Sequence, residues 1–151
     1  MTLKQWEKNG WIRPHLTSPQ EIAGLLSIVE RDLLDAQGPI SADWQFGITY
    51  NAALKLCTIL MYASGFRPER NAAHQRTLSV LPLVLGDSRK ADADYLEACR
   101  VKRNTVEYDI AGAATERDAQ ELYEFTKQLH VEVMDWLRRN HQKLLALPGP
   151  S

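Results

Sequence analysis

Apolar residues recur along this chain at intervals of three and four, the spacing that lines one face of a helix. Ile22, Leu25, Leu26, Val29 and Leu33 form the first such stripe. Ser18-Pro19-Gln20-Glu21 precedes it: the serine can cap, the proline suits the first helical position, and the glutamate three residues on completes a capping box. Gly38-Pro39 follows, so the pattern predicts a first helix over 19–36. A second segment starts at Ser41-Ala42-Asp43 and is apolar on nearly every side, from Trp44 and Phe46 through Tyr50, Leu54, Cys57 and Leu60 to Tyr62. A helix of that kind sits in the middle of a bundle, or serves an interface as well as the core. Gly65 stops it, and Phe66-Arg67-Pro68 turns the chain.

A third helix is predicted over 71–81, with Asn71 as its cap and Leu78 and Leu81 facing inward; Pro82 interrupts its hydrogen-bond ladder and Gly86 ends the segment. Asp87-Ser88-Arg89-Lys90 reads as a polar turn. The fourth helix is predicted over 91–110 and is closed by Gly112. Thr115-Glu116-Arg117-Asp118 caps a long fifth helix. Its stripe is Ala119, Leu122, Leu129, Val133, Trp136 and Leu137, with Thr126 in one inward position. Arg138, Arg139 and Lys143 suit the negative carboxyl end of its dipole. Nowhere does strand-like alternation last beyond a few residues. The expectation is an all-α fold, an antiparallel bundle of four to five helices with sequential neighbours packed together. Residues 1–17 form an N-terminal extension whose short helix or turn lays Trp6 and Trp11 onto the body, since Pro14 opposes a helix through it. The bundle spans 18–147, and Pro148-Gly149-Pro150 belongs to a tail over 148–151.

With 151 residues, 44% of them hydrophobic and 25% charged, the chain can bury a real core, and disorder fails as a reading. A formal net charge of −1 excludes a general polyelectrolyte partner for nucleic acid, so any such contact must come from a local patch. Cys57 and Cys99 lie in apolar, helical surroundings without a CxxC pair, as expected of small core residues in a reduced, cytoplasmic setting. The opening residues lack the apolar core of a signal peptide, and no apolar run approaches the ~20 residues of a membrane span.

Most catalytic arrangements are missing. There is no glycine-rich phosphate loop, dinucleotide fingerprint or nucleophile elbow. His15, His74, His130 and His141 lack metal-ligand spacing, so neither a metal nor a cofactor is expected. What stands out is the fourth helix. Leu96, Cys99, Arg103, Val106 and Ile110 share one stripe, and the third of them is an arginine. Burying an unpaired charge costs several kcal/mol, so Arg103 must be paired or placed at a groove. Arg100, Asn104 and Glu107 lie on the same face or its edge, and Arg103 can pair with Glu107 across one turn. A second cluster is His74-Gln75-Arg76-Thr77, where His74 shares a helical face with Leu78 and Leu81. Arg67 and Arg70, together with Lys102 and Arg103, are candidates for a basic patch.

The run Arg100-Val101-Lys102-Arg103-Asn104-Thr105-Val106-Glu107-Tyr108, on the penultimate helix, resembles the HEPN superfamily. Asp43-Trp44-Gln45-Phe46, Tyr50-Asn51-Ala52-Ala53-Leu54, Gly65-Phe66-Arg67 and His74 are similar to the small stand-alone bacterial members, and the likeness extends from Ser18 to about Leu137. It implies a helical bundle that pairs as a homodimer. Many members cut RNA with an arginine, a polar residue and a histidine that meet their copies across the dimer. These RNA-cutting members are toxins, paired with an antitoxin; others lack the histidine and bind RNA, nucleotides or a nucleotidyltransferase partner. By the resemblance Arg103 is the arginine and Asn104 the polar residue, while Tyr108 stands at the histidine position. A phenol with pKa about 10 is a poor general base at neutral pH, whereas an imidazole at about 6.5 suits that task.

The expected function is therefore a non-catalytic HEPN-like dimeric module. It holds RNA, a nucleotide phosphate or a protein partner at Arg100, Arg103, Asn104, Tyr108 and His74. A metal-independent endoribonuclease using Arg103 and His74 is the alternative, and an interaction scaffold with Arg103 in a register-fixing ion pair is the third reading.

Overall fold

The computed structural model describes residues 1–108 and 110–146, without the side chains of Glu107 and Tyr108. The tail expected over 148–151, the Arg103–Glu107 pair and the Tyr108 side chain lie outside the described residues.

Helix α1 (Leu3–Lys8) is set by a reciprocal cap: the Thr2 hydroxyl accepts from the Gln5 N–H, and the Gln5 side chain accepts from the Thr2 N–H. It buries Trp6, and Trp11 meets that indole edge to face at 6.1 Å. Strand β1 (Ile12–Pro14) then pairs antiparallel with β2 (Phe66–Pro68), with Arg13 opposite Arg67. This ribbon corrects the expectation of no strands. Each strand has three residues and ends in proline, so alternation has no length in which to show.

Helix α2 (Pro19–Asp35) starts as predicted, with the Ser18 hydroxyl accepting from the Glu21 N–H at 3.1 Å. The Glu21 carboxylate does not close the expected box. It accepts from the Thr17 hydroxyl at 2.7 Å and meets His15 Nε2 at 2.6 Å, because the ribbon brings His15 alongside. Helix α3 (Ala42–Ala63), capped by Ser41, is the middle of the molecule. It packs on α2, on the later helices and on β2, and Phe46, Tyr50, Leu56, Ile59 and Leu60 are buried around its circumference. Gly65, at φ 94°, takes the chain out of it into β2.

The single helix expected over 71–81 is two. Helix α4 (Ala73–Leu78) is entered from Ala72 in the left-handed region at φ 55°, not from an Asn71 cap, and α5 (Val80–Leu85) restarts at Ser79. Pro82 has no N–H to offer the Leu78 carbonyl four residues back, so the ladder is interrupted as expected but closes earlier than predicted, at Leu78, and Pro82 falls in the first turn of α5, where a missing N–H costs little. A 3₁₀ turn (Asp87–Arg89) leads into α6 (Lys90–Tyr108), and Ile110, the predicted boundary, lies outside the helix. The Asp43 carboxylate accepts the N–H groups of Gly112 (2.6 Å) and Ala114 (3.2 Å), tying the following loop to the start of α3. Ile110, expected on the inward stripe, is left 60% exposed.

Helix α7 (Glu116–Asn140) carries the predicted Thr115–Asp118 cap and buries Ala119, Leu122, Thr126, Leu129, Val133 and Leu137. Trp136 is only half-buried, and Tyr123 takes an inward place the stripe did not include. The architecture is mostly helical with one small ribbon, and α2, α6 and α7 all pack against α3. Among the described residues no helix is long and apolar enough to cross a membrane.

Candidate functional site

Helices α4 and α6 meet through polar groups at the surface. Glu97 on α6 accepts from both Arg100 Nε (2.9 Å) and a terminal Arg100 nitrogen (2.7 Å), and from Gln75 on α4 at 3.1 Å. The Arg100 hydrogen bonds come first among the causes that hold the Glu97 carboxyl below the usual carboxylate range. Arg100 is thus fixed in orientation by the fork geometry of its pair. One turn further along α6, the Arg103 guanidinium lies 5.4 Å from the centre of the Tyr50 ring on α3.

His74 completes this arrangement. It lies exposed on α4, so the inward face predicted for it with Leu78 and Leu81 holds only for the two leucines. Its pKa falls below the ordinary histidine value, first through partial desolvation and then through the positive charges of Arg103, Lys55 and Arg100. The ring is therefore neutral at pH 7 and surrounded by cations from two helices. Beneath them Tyr50 is 1% exposed, and its hydroxyl makes no hydrogen bond to any described residue. Burial pushes that phenol well above its usual range, against the opposing pull of Arg103 and Arg100. A buried hydroxyl without a partner costs about 1–3 kcal/mol, so this one is a donor facing a cationic neighbourhood at an energetic cost.

Of the residues singled out in the sequence, the fold brings His74, Arg100 and Arg103 together. Asn104 is exposed beside them on α6. Lys55 and Tyr50 were missed. The signal for Lys55 was its isolation as the only cation in the 22 residues of α3. The basic patch expected from Arg67, Arg70, Lys102 and Arg103 does not form. Lys102 turns to α7 and pairs with Asp118 at 2.9 Å, and that bond with the Thr115 N–H holds the Asp118 carboxyl down at about 2. Arg67 and Arg70 line a different groove. The remaining histidines stand elsewhere: His15 against Glu21, His141 against Trp136, His130 within α7.

A second recess, of about 700 Å³, opens between α2, α3 and the end of α6. Buried Asp32 lies in its wall, held by Asn51 at 2.8 Å and Arg31 at 3.0 Å, with Ile48 and Val106 supplying apolar surface. Trp44, 67% exposed, stands at its rim. No group of three histidine, cysteine or acidic side chains that could hold a metal ion occurs among the described residues. Comparison of the chain with family models, with curated proteins and with solved structures finds no match to any of them.

Proposed function

We propose that this chain is a HEPN-like, dimeric RNA-binding module, and that the α4–α6 face takes a backbone phosphate of single-stranded RNA. The observation that carries the reading is the convergence of Lys55, Arg100 and Arg103 on an exposed, neutral His74. The Arg103 fork, held over the Tyr50 ring, grips phosphate oxygens, and exposed Asn104 orients the strand. Proton linkage supplies the test. Protonating His74 adds a positive charge at the phosphate, so RNA affinity rises as pH falls from 7.5 to 5.5. One further charge at about 4 Å in a water-like medium contributes about 1 kcal/mol, or roughly fivefold. Anisotropy of a labelled oligoribonucleotide measures the gain, and His74→Gln abolishes it. A pH-independent affinity in the parent protein overturns the assignment of His74.

Pairing is expected through exposed Trp44 on α3, at the rim of the recess between α2, α3 and the end of α6. Trp44→Asp is expected to convert a dimer into a monomer in sedimentation analysis while leaving the helical signal intact, because this side chain contributes little to the core. A parent protein that sediments as a monomer removes the dimer from the proposal.

One observation favours a second reading, metal-independent RNA cleavage. His74 lies within reach of the Arg103 charge and is neutral at pH 7, as a general base must be. RNA that stays intact with the protein in chelator keeps the binding reading; cleavage lost in both His74→Ala and Arg103→Ala replaces it.

A further inference from the structure

On the other side of α4, the β-ribbon and the chain between β2 and α4 enclose a groove of about 830 Å³. Its lining carries Arg13, Arg67, Arg70 and Arg76 against one carboxylate, Glu69, an excess of three positive charges in a chain whose net charge is −1. Three features mark this as a built arrangement. Arg13 and Arg67 are direct cross-strand partners, and like charges in that relation cost stability unless something negative sits between them. Glu69 answers only part of that charge, pairing with Arg13 at 2.6 Å. Arg76 is laid on the Trp11 ring, 3.7 Å from its centre, which fixes the plane of a guanidinium that would otherwise cost entropy to order.

We infer that this groove is an anion site for a terminal polyphosphate, the di- or triphosphate group of a nucleotide. A volume of about 830 Å³ is that of a small-molecule site, and the charges gather around one recess, where an extended strand needs a track. A single phosphoryl group carries about −1.5 to −2 charge, so an excess of three suits two or more in a chain. The ribose and base lie outside this recognition, and the same group occurs on a free nucleotide and on the 5′ end of an RNA. The inference stands apart from the α4–α6 site and does not need it.

The test is calorimetric titration of the full chain with inorganic triphosphate, ADP, and an RNA with and without a 5′-triphosphate. Triphosphate and ADP are expected to bind. The double variant Arg67→Ala/Arg70→Ala, both exposed side chains, is expected to lose at least tenfold in affinity for each with a melting temperature no lower than the parent's. Arg103→Ala is expected to leave triphosphate binding as it was, which separates this groove from the RNA face. Tighter binding of the triphosphorylated RNA than of free nucleotide assigns the RNA end as the source, and the reverse order assigns the free nucleotide. Absence of triphosphate binding, equal binding by the double variant, or an RNA without terminal phosphates that competes equally well for the groove would overturn the inference.

Discussion

Arg103→Ala is expected to weaken binding of single-stranded RNA by tenfold or more at about 0.1 M salt, where charges are screened beyond about 10 Å. A hydrogen bond to a charged group contributes about 1.5–3 kcal/mol, and each 1.4 kcal/mol is a factor of ten. The guanidinium also lies across Tyr50, so its position is set by an aromatic surface as well as by its helix. Arg103→Lys separates these contributions. Lysine keeps the charge but has neither the planar fork nor the stacking face, and an intermediate loss is expected. Anisotropy measures the affinity, and thermal unfolding of each variant shows whether the fold is unchanged. If Arg103→Met binds RNA as the parent does and is equally stable or more so, the arginine serves only to fix register, and the scaffold reading stands.

Leu60→Ala is expected to produce the largest stability loss. Leu60 is fully buried on α3, the helix against which α2, α6 and α7 pack. Truncating such a leucine removes its transfer free energy and leaves a cavity, together about 2–5 kcal/mol. That is a large part of the 5–15 kcal/mol typical of a whole domain. At about 2–4 °C per kcal/mol for a chain of this size, the melting temperature falls by roughly 5–20 °C. Val101→Ala is the control: this side chain is 53% exposed, and the expected change is within about 0.5 kcal/mol. A drop in Leu60→Ala no larger than the control's would mean that α3 is not the centre of the core.

The contrast between these positions was readable before any coordinates. Period and capping residues located α2, α3, α6 and α7, because a buried stripe over many turns leaves a long pattern. Short elements left none. The ribbon depends on pairing between segments more than 50 residues apart, and the entry into α4 depends on a left-handed Ala72 that no apolar pattern marks. The candidate site divides in the same way. Arg103 announced itself as a charge among apolar neighbours, a property of one helix. Lys102 beside it was misplaced, since its partner Asp118 lies across a loop whose path no local pattern encodes. The second arginine groove was half visible: Arg67 and Arg70 stood out together, but Arg13 joins them only through strand register and Arg76 through the Trp11 ring.

The two cysteines have a consequence for following the molecule in motion. Burial pushes the Cys57 thiol up to about 12 and the Cys99 thiol up to about 11, so at neutral pH neither supplies the thiolate that alkylating reagents attack. Each becomes reactive only when its own surroundings open to water. Cys57 lies midway along α3 and Cys99 on α6, so their labelling rates time two separate excursions of one native chain, the loosening of a flank and the loss of the centre.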